Sequence, residues 1–205
     1  NRKKMLSYEE SLKILKETNA LLDGHFILSS GLHSAQYVQC AQLLSKPYKS
    51  SFFCESLANK IFAEFKEIDL ILSPAMGGIV IGYEIGRLLK KETIFSERAE
   101  GVFKLRRDFK ILKNAKVLIV EDVITTGKSS IECSKLVEIA EADVVGFACL
   151  IDRSNGNSII NKKIVSQINI NIPTYEENNL PKNLAALPAI KPGSRELKWV
   201  KSDLV

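Results

Sequence analysis

The spacing of apolar residues changes period several times along the chain, and each change predicts an element. Leu12 and Leu15 share one face of a helix over 8–18, which Ser7 and Glu10 open with the pattern of a capping box and Asn19 closes. Between Asp23 and Ser34 alternation is weak, and glycines and serines predict two short strands joined by a tight turn near Ser30-Gly31. Beyond Pro47, apolar residues recur every fourth position at Phe53, Leu57, Ile61 and Phe65, the stripe of a helix that buries one face. Short apolar runs follow at 69–72, 93–96, 116–121 and 144–151, and an alternating run at 164–172, ended by Pro173. The uninterrupted runs suit strands covered on both faces, and the alternating one suits a strand with one buried face. Helical patterns separate them at 79–89 and from Ser130 on, where Ile131, Leu136 and Ile139 are apolar. Strands alternating with helices predict an α/β fold with a central, mostly parallel sheet flanked by helices.

At 205 residues the chain has the length of a single domain. The pattern divides it into an N-terminal region, 1–46, an α/β core, 47–172, and a C-terminal extension, 173–205. Pro181, Pro188 and Pro192 and the ending KPGSRELKW make that extension ordered but irregular.

The densest chemistry lies at the end of the 116–121 strand. Val117-Leu118-Ile119-Val120 runs into two acids, Glu121 and Asp122, expected where the strand ends. Thr125-Thr126-Gly127-Lys128-Ser129 follows, and then a helix. Ligands of open parallel sheets bind beyond the carboxyl ends of the strands. Hydroxyls and free backbone N–H groups at a helix start cradle phosphate, and adjacent acids suit sugar hydroxyls or a metal-bound ligand. The stretch therefore predicts a site for a phosphorylated sugar. Gly127-Lys128-Ser129 also looks like the end of a P-loop, but that motif needs a glycine where this chain has Asp122.

Two further segments join the site. Ser73-Pro74-Ala75-Met76-Gly77-Gly78 connects a strand to a helix, with small residues that let N–H groups approach an anion. Residues 97–109, ERAEGVFKLRRDF, are densely charged and broken by Gly101, and predict a β-excursion or mobile flap. Its Glu97, Arg98, Lys104, Arg106 and Arg107 are candidates to close over an anionic substrate, against the plainer reading of a solvated face.

Composition narrows the classes. Apolar residues make up 45%, ordinary for a globular chain, and no apolar run approaches the roughly 18 residues of a membrane span. The basic start, Asn1-Arg2-Lys3-Lys4, is not that of a signal peptide, and the missing initiator Met suggests trimming. A net charge of +5 is mild and dispersed; it suits a small anionic substrate, and no nucleic-acid module accompanies it. Cys40, Cys54, Cys133 and Cys149 are widely spaced, which suits buried thiols in a reducing cytoplasm rather than a zinc site or disulfides. His25 and His33 read as surface or hydrogen-bonded turn residues.

The 116–130 stretch resembles the phosphoribosyl-pyrophosphate (PRPP) signature of type I phosphoribosyltransferases, and its EDVITTG wording is similar to that of the orotate phosphoribosyltransferases. Gly24, Phe26, Leu28, Ser30, Gly31 and Ser34 match the N-terminal hood pattern of the same family. The resemblance implies a type I fold with a hood lying over the base and a flexible β flap that reaches the site of the neighbouring subunit. It implies that Glu121, Asp122, Val123, Ile124, Thr125, Thr126, Gly127, Lys128 and Ser129 bind PRPP, and that Ala75, Met76, Gly77 and Gly78 hold its pyrophosphate. Thr125 and Arg153, the latter at the end of the 144–151 strand, would face orotate. Mg²⁺ would be held mainly by PRPP, with Asp122 as a water-mediated contact. The implied protein is a cytoplasmic homodimer that makes orotidine 5′-monophosphate and pyrophosphate for pyrimidine (UMP) synthesis. A transferase for a purine base and a non-catalytic PRPP-sensing regulator remain the alternatives. Residues 97–109 lack the histidine of the better-known family flap, which leaves the flap's catalytic residue open among its four cations.

Overall fold

The computed structural model of the chain describes residues 4–192. Its elements are α1 (Tyr8–Glu17), β1 (Leu21–Ile27), β2 (His33–Val38), α2 (Cys40–Leu44), α3 (Pro47–Glu64), β3 (Leu70–Pro74), α4 (Gly77–Leu89), β4 (Glu92–Ala99) and β5 (Val102–Leu105), followed by β6 (Lys116–Ile124), α5 (Lys128–Ile139), β7 (Asp143–Asp152), β8 (Ile164–Asn169), β9 (Thr174–Tyr175), a 3₁₀ turn at Glu177–Asn179 and α6 (Lys182–Ala185). They form two compact units: one from residues 4–21 together with 39–171, the other from 22–38 and 172–192.

The larger unit is built on a six-stranded sheet of order β5-β4-β3-β6-β7-β8, parallel except for β5. The chain moves outward from β3 to β4 on one side, then passes to β6, β7 and β8 on the other. The winding thus reverses between β3 and β6, and a crevice opens at their carboxyl ends. Alternate strand residues face opposite sides. Leu70, Leu72, Val117, Ile119, Phe147 and Cys149 pack with Cys133 and Val137 of α5. Ile71 and Leu118, also fully buried, face the other side. There α4 lies against β3, β4 and β6, and α3 against β7 and β8.

Local signals explain the helices. Ser7 Oγ accepts from the Glu10 N–H at 3.1 Å and the Ser7 N–H donates to Glu10 Oε2 at 3.0 Å, the expected capping box. Pro47 occupies the first turn of α3, where its missing N–H costs nothing. Phe53, Leu57 and Ile61 bury the predicted face.

Two expectations for this unit need correction. The strand that carries the acids does not stop before them. β6 runs on to Ile124, because Glu121, Val123 and Ile124 keep pairing with Cys149, Ile151 and Asp152 of β7. The alternating segment ends as a strand at Asn169, and Val165 and Gln167 are buried along with Ile168, so both its faces are covered. Gln167 is held there by its side-chain N–H to Ser11 Oγ at 3.0 Å and by Lys60 Nζ donating to its carbonyl at 2.9 Å. The charged stretch forms the antiparallel β4–β5 hairpin at the sheet edge, turning at Glu100-Gly101. A bulge interrupts the β6–β7 ladder: Val117 lies opposite Val144 but Leu118 opposite Gly146, leaving Val145 as an extra residue. All four cysteines are buried free thiols, as the sequence suggested, and burial raises the pKa of each.

The smaller unit holds the sheet β1-β2-β9. Its predicted turn is present: Gly31 takes φ +85° and the Leu28 N–H donates to the Leu32 carbonyl at 2.8 Å. The two histidines are not surface residues. They sit in β1 and β2, only 4% and 6% exposed, because each ring satisfies the other. His25 Nε2 lies 2.6 Å from His33 Nδ1, and His25 Nδ1 lies 2.9 Å from the Leu187 carbonyl. Residues 173–192 are more regular than expected, carrying β9, the 3₁₀ turn and α6, while Ile190 bridges to Phe26. The KPGSRELKW ending lies outside the described residues from position 193 on.

Candidate active site

The two acids are neighbours in a continuing strand, so their side chains project to opposite faces of the sheet. Asp122 faces the start of α4. A Cβ built on Gly77 would stand 2.6 Å from Asp122 Oδ2, so the glycine is what allows that approach. Asp122 Oδ1 accepts from the Val123 N–H at 2.8 Å. Burial raises the Asp122 pKa, and this N–H opposes the rise. The Cys40 thiol donates to the Asp122 carbonyl at 3.9 Å.

Glu121 faces the α5 side. It shares a cavity of about 140 Å³ with Thr125, Thr126, Gly127 and the first residues of α5. Burial, then the neighbouring Asp122 charge, lifts its pKa to about 8. The cavity therefore holds a largely protonated carboxyl at neutral pH, a donor as well as an acceptor.

The loop from Thr125 to Ser129 closes that cavity. Thr125 and Thr126 are exposed, Gly127 turns the chain at φ +83°, and α5 starts at Lys128. The Lys128 N–H donates to Thr126 Oγ1 at 3.2 Å. The N–H groups of Ser129 and Ser130 belong to the first helical turn and have no intrahelical acceptor. Ser130 Oγ is buried with no hydrogen-bond partner among the described residues. Val123 is half-buried, whereas the Ile124 side chain belongs to the apolar core.

The second loop, 75–78, meets Asp122 of β6 across the β3–β6 crevice. The peptide between Ala75 and Met76 is cis, Met76 is 85% exposed, and Gly77 opens α4. The Ala75 N–H donates to the Ser96 carbonyl at 2.8 Å, tying this loop to β4. Gly77 thus stands beside Asp122, and the first-turn N–H groups of Gly77 and Gly78 are free of helical acceptors.

The hairpin sorts its charged residues. Arg98 pairs with Glu132 of α5 at 2.7 Å, donates to the Gly101 carbonyl at 2.9 Å and lies over the Phe103 ring. Arg107 grips Glu97 through two bonds of 3.0 and 3.1 Å, and the hydrogen bond from Arg107 lowers the Glu97 pKa. Lys104 and Arg106 are exposed and form no ion pair among the described residues. Arg153 follows the end of β7, and its N–H donates to the Ile124 carbonyl at 2.8 Å, which sets it beside Thr125.

One segment escaped the sequence reading. The chain after Arg153 returns to the Thr125–Ser129 loop, where the Ile159 N–H donates to the Thr126 carbonyl at 2.8 Å and Ile160 covers Gly127. The apolar pair Ile159-Ile160 inside the polar stretch 154–163 was the available signal. A larger cavity of about 530 Å³ lies between α1 and α3, but no strand end or glycine loop opens into it.

A sequence model of the phosphoribosyl transferase domain family matches residues 48–182. The orotate phosphoribosyltransferase of Parvibaculum lavamentivorans is 48% identical over 193 residues, covering 94% of this chain and 100% of its own. That of Rhizorhabdus wittichii is 47% identical over 188 residues, covering 91% of this chain and 96% of its own. Among solved structures, the orotate phosphoribosyltransferase of Aeropyrum pernix superposes with a TM-score of 0.68 at 23% identity, covering 77% of this chain and 92% of that one. That last likeness speaks to the fold alone.

Proposed function

This chain belongs to the phosphoribosyltransferase family, in its orotate branch, and we propose that it transfers the ribose 5-phosphate group of PRPP to orotate, giving orotidine 5′-monophosphate and pyrophosphate. The observation that carries the mechanism is the meeting of Gly77 and Asp122, which brings a pyrophosphate-sized N–H loop against a sugar-binding acid. Breaking the C1′–O bond builds positive charge on the ribose, so fixed charges and orientation supply most of the rate. The Thr125 to Ser129 loop and the first turn of α5 hold the 5′-phosphate. Glu121 and Asp122 hold the ribose hydroxyls from opposite faces of β6. The 75–78 loop receives the departing pyrophosphate. Arg153 offers a planar guanidinium to the orotate carboxylate, with Thr125 beside it. Lys104 and Arg106 are the flap cations available to the phosphates, since Arg98 and Arg107 are engaged with Glu132 and Glu97.

The donor set suits a metal carried in by the substrate. No group of three or more acidic, cysteine or histidine side chains forms a cage among the described residues. Asp122 is a single carboxylate with Oδ2 facing the pyrophosphate loop, the kind of partial protein shell that Mg²⁺ accepts alongside substrate phosphates. When bound, Mg²⁺ neutralises charge on the pyrophosphate.

Two further readings belong with this one. Tyr48, Phe52 and Phe62 on α3, with Val80 and Tyr83 on α4, are exposed apolar residues on two adjacent helices, which supports a homodimer. The four buried free thiols support a reducing, cytoplasmic compartment. The deciding experiment is pyrophosphate release from PRPP offered orotate, uracil, hypoxanthine or adenine in turn. Release with orotate alone is expected. Preference for a purine would overturn the base assignment, and binding of PRPP without turnover of any base would favour the sensing regulator.

A further inference from the structure

The turn from Thr125 to Gly127 is held from outside by a part of the chain that, beyond Arg153, has been given no role toward substrate. Residues 153–160 run alongside 124–127 and are fastened at both ends. The Arg153 N–H donates to the Ile124 carbonyl and the Ile159 N–H to the Thr126 carbonyl, each at 2.8 Å. Between these anchors the segment folds on itself. The Ser154 N–H donates to Asp152 Oδ1 at 2.8 Å, the Asn157 N–H to the Ser154 carbonyl at 2.9 Å, and Asn155 and Gly156 take positive φ.

At the far end Ile160 meets Gly127. A Cβ on Gly127 would stand 2.8 Å from Ile160 Cγ1 and 3.0 Å from Cδ1, so the isoleucine occupies the space beside the glycine. Ile160 is 9% exposed and lies in the same apolar cluster as Ile124, Cys133 and Val137. Gly127 needs this support. At φ +83° it sits where only glycine is comfortable, and glycine alone restrains its backbone poorly. The two hydrogen bonds restrain residues 124 and 126, and Ile160 closes off position 127 from below.

We propose that Ile160 is a positioning residue for the phosphate loop: it fixes Gly127 from the side opposite the ligand, so that the loop is already shaped when PRPP arrives. The proposal rests on the orotate phosphoribosyltransferase reading for its ligand. It assigns Ile160 no contact with substrate. Preorganisation of this kind acts mainly on binding, because the ordering of the loop is otherwise charged to the association step. The same segment begins at Arg153, so the brace also holds the base side and the phosphate side in one register.

The test compares Ile160→Ala, Ile160→Val and Val165→Ala in the full chain. PRPP affinity is measured by calorimetry, turnover with orotate by steady-state kinetics, and folding by thermal melting. Val retains γ-carbons opposite Gly127, whereas Ala removes them. Val165 is as buried as Ile160 but lies on β8, away from the loop. Ile160→Ala should weaken PRPP binding roughly tenfold and raise its KM by a similar factor, with kcat falling less, as expected for lost preorganisation. Ile160→Val should stay within about twofold, and Val165→Ala should lower the melting temperature without changing PRPP affinity. Unchanged PRPP affinity in Ile160→Ala would overturn the proposal, as would an equal loss in Val165→Ala. Because affinity is measured directly, a wild-type protein that binds PRPP but does not turn over orotate would sink the functional reading and leave this test standing.

Discussion

Gly77 opens α4 and Asp122 lies in β6, yet a single methyl group added to the glycine would collide with the carboxylate. Gly77→Ala should therefore displace Asp122 and the 75–78 loop together. Turnover should fall by on the order of a hundredfold, comparable to losing one oriented charge or donor. The melting temperature should change little, because the collision falls on a side-chain end at a half-open crevice. Steady-state kinetics with a melting control checks both. Asp122→Asn should lose turnover to a similar degree while remaining folded, and unchanged turnover would remove Asp122 from the mechanism.

Glu121 gives a pH signature. Its pKa in the folded chain is raised from an ordinary 4.5 to about 8 by burial and by Asp122. The folded state therefore binds a proton that the unfolded state has released, and the associated stability is complete below about pH 4.5. That stability is lost as the pH rises through 8. Denaturant titrations of the ligand-free protein should show a downward slope in stability across this window that Glu121→Gln flattens.

The flap cations should separate by their partners. Lys104→Ala and Arg106→Ala should reduce turnover with little change in melting temperature. Arg98→Ala breaks the contact to Glu132 and the stack on Phe103, so its first effect is on the hairpin. Amide exchange over 96–105 should speed up in that variant and stay unchanged in the other two. Equal exchange in all three would mean that Arg98 does not hold the hairpin.

The paired histidines make a spectroscopic prediction. A carbonyl only accepts, so His25 must donate from Nδ1 to Leu187 and, when neutral, accept at Nε2 from His33 Nδ1. Long-range nitrogen–proton correlations should place the proton of both neutral rings on Nδ1. Phenylalanine at either position leaves a buried polar atom without its partner and should cost about 1–3 kcal/mol of stability, read by denaturant melting.

Most of the core strands could be located in advance because β3, β6 and β7 are covered on both faces and so appear as unbroken apolar runs. The turn before α5 was legible too, since hydroxyls and a glycine mark where a strand hands over to a helix. Sequence could not show that β6 continues past its acids. Pairing with β7 extends the strand, and pairing leaves no local mark. The histidines were misjudged because each supplies the partner of the other across two strands. Ile160 was overlooked because its role depends on a glycine more than thirty positions earlier.

The extra residue in β7 has an effect beyond its own neighbourhood. Val145 lies opposite no residue of β6, and every position after it is offset by one against the preceding ladder. Facing alternates at each step, so this one insertion decides which side of the sheet each later β7 side chain occupies, up to the junction with Arg153. Deleting Val145 would leave the composition almost unchanged while inverting the parity of the strand that delivers that arginine. In this chain the face toward which the end of β7 turns its side chains is thus written near the opposite end of the strand.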